Sequence, residues 1–190
     1  LRRQRQMCIR DSFHSENGFV GMGPPLADGT PDHHVVDAGG RAVTLRPGAA
    51  CFDSVVSFGL VRGQHLDLAV LGAFQVAVNG DLANWKIPGK LTPGMGGAME
   101  LAQKARKVVV LSRHSDKLGR AKLVAQCDLP LTAAGCVDTL ITERAVFRRR
   151  GDQLQLASVH PTETAESVLQ SIDVEIAMDS SLESWDQEDP

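Results

Sequence analysis

Tyrosine is absent from this chain of 190 residues, and aromatic residues as a whole make up only 4%. A binder of single-stranded nucleic acid needs aromatic faces for the bases to stack on and a positive groove to follow the phosphates. The net charge is −3, so no nucleic acid is expected as a partner. Cysteine is sparse as well. Cys8, Cys51, Cys127 and Cys136 form no C-x-x-C pair, and no histidine spacing completes a zinc site. With no secretory apolar segment in view, the reading is reduced thiols in a cytoplasmic protein. No apolar run is long enough to cross a bilayer, and no membrane association is expected.

What remains is ordinary for a globular protein. Hydrophobic residues make up 43% and charged residues 23%, and the length suffices for one domain with a proper core. Both ends read differently from the middle. Residues 1–12 carry Arg2, Arg3, Arg5 and Arg10 with no acid before Asp11. Such a segment is short for a mitochondrial presequence and has no amphipathic period. R-R-Q-R-Q-M-C-I-R-D-S is instead expected to be translated adapter sequence joined to a truncated reading frame. Residues 179–190 are acidic and serine-rich and are expected to form a disordered tail. The domain itself is expected over 13–178.

Local patterns place the elements. Gly21 to Gly40 is rich in Gly, Pro and Asp and is expected to be an irregular loop. Its His33–His34 pair is read as solvated, because adjacent side chains point apart in extended chain. A short strand is expected over Ala42 to Leu45. Asp53 is a candidate N-cap for a mostly buried helix ending near Gly63. Leu66 to Leu71 and Phe74 to Val78 read as buried strands split by Gly72, followed by a turn at Asn79–Gly80. Trp85 reads as a packing residue. Ala98 to Ala105 is helix-prone, and Lys107 to Ser112 is a buried strand. His114 to Lys122 is expected to be a surface connection, and Leu123 to Ala125 and Thr139 to Thr142 short strands. Arg148 to Arg150 read as a solvated turn, Leu154 to Ser158 as a last strand, and Thr162 to Ile172 as a helix with a cap-like start. Strands alternating with helices predict an α/β domain with an open, mixed or parallel sheet and flanking helices.

Two stretches carry candidate chemistry. In Phe13-His14-Ser15-Glu16-Asn17-Gly18 a single carboxylate sits in a turn built by Ser15, Asn17 and Gly18, where glycine supplies the positive φ. Most glutamates in such turns are inert. A presented one can act as base, metal ligand or nucleophile, and no companions at metal-ligand spacing are visible. In Pro93-Gly94-Met95-Gly96-Gly97 a glycine loop runs into a helix, and free backbone N–H groups there can hold an oxyanion. From the residues alone, a mere tight connection is an equal reading.

The run F-H-S-E-N-G-F-V-G (Phe13 to Gly21) is similar to the signature around the catalytic glutamate of the beta subunits of two-subunit 3-oxoacid CoA-transferases. Further blocks resemble the same family in the same order. They are Asp37 to Ala50, Val61 to Val76, N-G-D-L-A-N-W-K-I-P-G-K (Asn79 to Lys90), P-G-M-G-G-A-M-E-L (Pro93 to Leu101), and Cys127 to Thr142 with its C-D-L-P-L-T start. Asp37 and Glu100 depart mildly from the family's usual Asn and Asp.

The resemblance, nearest to the succinyl-CoA:3-ketoacid branch, implies the open α/β fold of the CoA-transferase and sugar-phosphate isomerase superfamily. It implies Glu16 as nucleophile, with Ser15, Asn17 and Gly18 supporting its turn, and Gly97 and Gly96 as oxyanion or CoA-binding donors. It implies ping-pong transfer of CoA from succinyl-CoA to a 3-oxoacid such as acetoacetate, with no metal or redox cofactor. An A subunit is the implied partner, in a heterodimer or heterotetramer, and a strand before the S-E-N-G turn is the implied loss at the N-terminus. The alternatives are a truncated non-catalytic partner subunit, and transfer to 3-oxoadipate or short-chain fatty acids.

Overall fold

A computed structural model describes residues 12–26, 34–90, 92 and 94–184. Residues 1–11, with Cys8, and 27–33, with His33, lie outside the described residues, as does the end of the acidic tail from 185. The chain divides into two compact units, one ending at Gly63 and one starting at Gln64.

The first unit is a three-stranded antiparallel sheet, β1 (His14–Ser15), β2 (Phe19–Pro25) and β3 (Val43–Cys51), in that order, followed by helix α1 (Ser54–Arg62). The glycine-rich stretch expected to be loop from Gly21 instead continues β2 to Pro25. The glycines serve close approach rather than disorder. The register against β3 shifts beside Gly21 and again before Pro25, and a Cβ on Gly21 would lie 2.9 Å from Ala49 Cα. Each shift leaves residues of one strand without opposite numbers, three in β3 at the first and one in β2 at the second, which bends the pair. The strand expected over Ala42 to Leu45 likewise extends, to Cys51.

Helix α1 begins where its sequence signals it. The Asp53 carboxylate accepts from Val56 N at 2.9 Å, and Gly63 caps the other end. Burial is less than expected. Only Ser57 and Val61 are buried, while Val55 and Val56 are 73% and 49% exposed.

The second unit runs β4 (Ala69–Leu71), β5 (Gln75–Ala77), β6 (Leu82–Ala83), α2 (Ala98–Lys104), β7 (Val108–Leu111), β8 (Leu123–Val124), β9 (Thr139–Ile141), β10 (Ala145–Arg150), β11 (Gln153–Val159), α3 (Ala165–Gln170) and β12 (Met178–Ser184). Six strands form a mixed sheet in the order β12-β11-β10-β9-β7-β4, and β6-β5-β8 form a second sheet. The mixed α/β class therefore holds. The two apolar runs on either side of Gly72 do become strands, but in different sheets, and β4 lies at an edge with Val70 54% exposed. The core packs Val76, Leu82, Val110, Val137, Leu140, Phe147, Leu156 and Val168 together. Most are apolar positions of short strands, joined by Val168 from α3 and by Val137 from the segment before β9. α3 starts with the expected cap, a reciprocal pairing of Thr164 and Ser167.

Three further expectations are corrected. Arg148 to Arg150 lie in β10 rather than in a turn. Arg149 donates to the carbonyls of Val137 and Asn79, each at 3.0 Å, and Arg150 pairs with Asp179 at 2.6 Å. Asp179, expected in a disordered tail, is buried within β12, which runs parallel to β11 from Met178 to Ser184. The Arg150 guanidinium and the Ser181 N–H satisfy its carboxylate, so an acidic residue can sit in a strand. His114, expected on a surface connection, is 3% exposed.

The His114 ring lies 3.2 Å (Nδ1) from the Thr142 hydroxyl and 2.9 Å (Nε2) from that of Ser171, and stacks near Phe147. Burial lowers its pKa below the usual 6.5, with the Arg144 charge adding to the effect and Glu143 and Glu163 opposing it. The fold therefore favours neutral imidazole, and the unfolded chain protonates first as pH falls through about 6.5. This stabilisation is complete above that pH and is lost below it. Denaturant midpoints measured from about pH 8 to about pH 5 should fall less steeply in His114→Gln than in the parent. Identical slopes would refute the assignment.

Candidate active site

Glu16 stands at the head of a three-residue hairpin loop. Ser15 pairs with Phe19 across β1 and β2, leaving Glu16, Asn17 and Gly18 as the connection. Gly18 has φ +131°, and its N–H donates to Ser15 O at 3.0 Å. Its carbonyl accepts from Phe52 N at 2.8 Å. A side chain on Gly18 would run into the Phe52 carbonyl oxygen, so glycine is needed here for both torsion and clearance. The Ser15 hydroxyl donates to the Asn17 side-chain oxygen, and Asn17 Nδ2 donates to Val36 O at 2.8 Å. The turn-forming roles read for Ser15, Asn17 and Gly18 thus have concrete partners.

One anchor was not legible as such. The Ser57 hydroxyl, on the buried face of α1, donates to the Glu16 carbonyl at 2.7 Å and lies 2.9 Å from His14 Nε2. A hydroxyl has one proton. With it committed to Glu16, His14 donates from Nε2 and is neutral when its other nitrogen carries no proton. Burial, the larger effect, lowers the His14 pKa, while the Glu16 charge raises it. Phe52 stacks near the His14 ring at 6.1 Å. The signal available in the sequence was the second serine of S-V-V-S-F-G-L-V, one helical turn before Val61 and so on the same face.

Gly96 and Gly97 belong to the second unit. Gly96 has φ +56°, and Gly97 is the N-terminal boundary residue of α2, its carbonyl accepting from Leu101 N at 3.0 Å. Gly97 has no side chain with which to cap this end, the end at which a helix leaves backbone N–H groups without intrahelical partners. A cleft of about 270 Å³ opens beside the loop, lined by Gly94, Met95 and Ala98 together with Phe74, Asn84, Trp85, Ile87 and Lys90. Trp85, read as a packing residue, contributes a wall of this cleft. Among the described residues no three His, Cys, Asp or Glu side chains cluster to hold a metal ion. Cys51, Cys127 and Cys136 are free, and burial pushes the Cys127 and Cys136 thiols up to about 11, which leaves them poor nucleophiles. No helix among the described residues is long and apolar enough to cross a membrane.

Replacing Ser57 by alanine strips the buried hydroxyl from both the Glu16 carbonyl and His14. Urea denaturation of Ser57→Ala should show a loss of about 1–3 kcal/mol. A loss under about 0.5 kcal/mol would mean that the anchor contributes little.

The sequence model of the coenzyme A transferase family matches residues 11–171. The beta subunit of a probable coenzyme A transferase of Bacillus subtilis is 47% identical over 88% of this chain and 77% of its own length. The B subunit of the succinyl-CoA:3-ketoacid coenzyme A transferase of Helicobacter pylori is 43% identical over 86% of this chain and 79% of its own. The beta subunit of the acetate CoA-transferase of Escherichia coli is 50% identical over 74% of this chain and 63% of its own. Among solved structures, the acyl-CoA transferase YdiF of Escherichia coli O157:H7, in thioester complex with CoA, superposes with a TM-score of 0.75 over 97% of this chain at 21% identity. This chain spans about a third of that one, 36%, and the likeness shows a shared fold. With a family match over residues 11–171 and relatives near half identical along most of its length, the chain belongs to the coenzyme A transferase family.

Proposed function

We propose that this chain is the B subunit of a two-subunit transferase that moves CoA from succinyl-CoA to a 3-oxoacid such as acetoacetate, with Glu16 as the nucleophile. The observation that carries the reading is the hairpin tip, where the backbone around Glu16 is pinned at the Ser57, Phe52 and Val36 contacts. A nucleophile held by its main chain meets an electrophile in a reproducible geometry, which is where much of the rate of such reactions arises.

In this mechanism the Glu16 carboxylate attacks the thioester carbonyl. The C–S bond breaks, the CoA thiolate leaves, and an acyl-glutamyl anhydride remains. The thiolate then attacks the glutamyl carbonyl, which releases the first acid and leaves a glutamyl-CoA thioester. The second acid runs the steps in reverse. Each carbonyl passes through an oxyanion, and Gly97 and Gly96 are proposed to donate their backbone N–H groups to it. One such donor is worth about 10²–10³ in rate. The energy of the thioester is kept, first in the anhydride and then in the glutamyl thioester, so the chemistry calls on no ATP, metal or redox cofactor.

The partner in this reading is an A subunit, in a heterodimer or heterotetramer working in the cytoplasm. The names of the relatives as subunits support it, as do apolar side chains left exposed, among them Val55, Val56, Leu68, Val70 and Leu111. A second reading of the substrate is favoured by the acetate CoA-transferase relative, namely transfer to short-chain fatty acids. 3-Oxoadipate stays as a third acceptor, and a non-catalytic partner subunit is the competing role.

Borohydride reduces a glutamyl thioester and leaves a free carboxylate alone. The chain, co-expressed with its A subunit and incubated with acetoacetyl-CoA, should lose activity to borohydride only when the acyl-CoA is present, and Glu16→Gln should show no turnover to lose. Borohydride resistance in a complex that binds acyl-CoA would favour the non-catalytic role.

A further inference from the structure

The cleft beside the glycine loop lies wholly in the second unit, and its size decides what it can hold. At about 270 Å³ it falls just under the roughly 300–1,000 Å³ of sites that bury drug-sized ligands. A short acid fits it, and the whole CoA moiety does not. Its walls are mainly apolar, formed by Phe74, Trp85, Ile87 and Met95 with Ala98 from the first turn of α2, and Lys90 is its one cation among the described residues.

The Asn84–Trp85 wall is held from behind. The Thr132 hydroxyl accepts from Asn84 N at 3.0 Å and donates to Asn84 Oδ1 at 2.6 Å. Asn84 Nδ2 donates to Gly72 O at 3.0 Å, and Trp85 Nε1 donates to Leu131 O at 3.1 Å. Thr132 N donates to Leu82 O at 2.7 Å, on the strand that leads into Asn84. The neighbouring strand is tied in as well. Phe74 N donates to Ala83 O at 2.9 Å, and Gln75 Oε1 accepts from the N–H groups of Asp128 and Leu129. The polar atoms of this wall are therefore engaged within the protein, and what it offers the cleft is mainly hydrocarbon. Thr132 is 2% exposed, so it acts through Asn84 rather than by touching a ligand.

We infer that this cleft receives the acyl chain of the thioester and limits it to short lengths, and that Thr132 is the positioning residue that keeps its Asn84–Trp85 wall in place. The inference rests on the reading that the Gly96–Gly97 loop faces the thioester carbonyl. It gives a role to the C-D-L-P-L-T block, whose last two residues make the contacts to Asn84 and Trp85.

The test uses the chain co-expressed with its A subunit and a series of straight-chain acyl-CoA donors of increasing length. In the parent complex kcat/KM should drop by about tenfold or more once the chain outgrows the cleft, the scale set by single methylenes in a closed pocket. Phe74→Ala opens a wall and should move that drop to longer chains. Thr132→Val keeps the shape but leaves Asn84 Oδ1 without its donor, and should raise KM for acyl donors by about tenfold with a smaller change in kcat. Thr132→Ser should restore the parent value. An unchanged length profile in Phe74→Ala overturns the cleft assignment, and failure of Thr132→Ser to rescue overturns the positioning role. Borohydride inactivation of the parent is scored in parallel. If it is present while the length profile stays flat, this inference alone falls. If it is absent, the transferase reading falls and takes the inference with it.

Discussion

A single buried hydroxyl ties helix α1 to the hairpin loop that carries Glu16. Ser57 projects from α1 and gives its proton to the main chain of Glu16, while its oxygen takes the N–H of His14. Helix, β1 and hairpin loop thus share one oxygen atom. Around it, Gly18 lets the β2 end of the loop press against Phe52, and Asn17 reaches to Val36. The loop is short, and an exposed loop of this length would otherwise sample many conformations at a cost of about 1–2 kcal/mol per residue to fix. Here that cost is met by contacts made when the unit folds, so the backbone that carries Glu16 is held by the fold itself.

The second unit follows the same logic with different parts. The β5–β6 hairpin, the Asn84–Thr132 pair and the turn into α2 frame a small cleft in which the polar atoms of Asn84 and Trp85 have partners inside the protein. A wall of this kind does not reorganise when a ligand binds, and a ligand gains from burying apolar surface against it. The buried His114 holds the far end of α3 to the end of β9 through Ser171 and Thr142. That end of the unit consequently depends on an uncharged ring.

Much of this was legible because local signals and global fold agreed. Asp53 and Gly63 bound a helix by their capping chemistry alone, and Thr164 opened another. The V-V-V-L run of β7 admitted only a buried strand. Glu16 and the glycine loop stood out because whole blocks, in order, resembled one family. The failures have physical causes. Gly21 and Gly23 read as loop residues because a sequence does not show that a neighbouring strand passes too close for a side chain. His114 and Arg149 looked solvated because the partners that satisfy them lie tens of residues away, at Ser171 and at Asn79. Asp179 entered a strand because Arg150 neutralises it across the sheet. Thr132 lay within a recognised block, yet its hydroxyl gains meaning only beside Asn84, which is 48 positions earlier.

The central claim is that the Glu16 side chain itself becomes acylated and then carries CoA. The direct measurement is mass spectrometry of the peptide containing Glu16, after incubating the assembled complex with acetoacetyl-CoA and no acceptor acid. A CoA adduct on that peptide, absent in Glu16→Ala, is the predicted result. An unmodified peptide from a complex shown to bind acyl-CoA would contradict it.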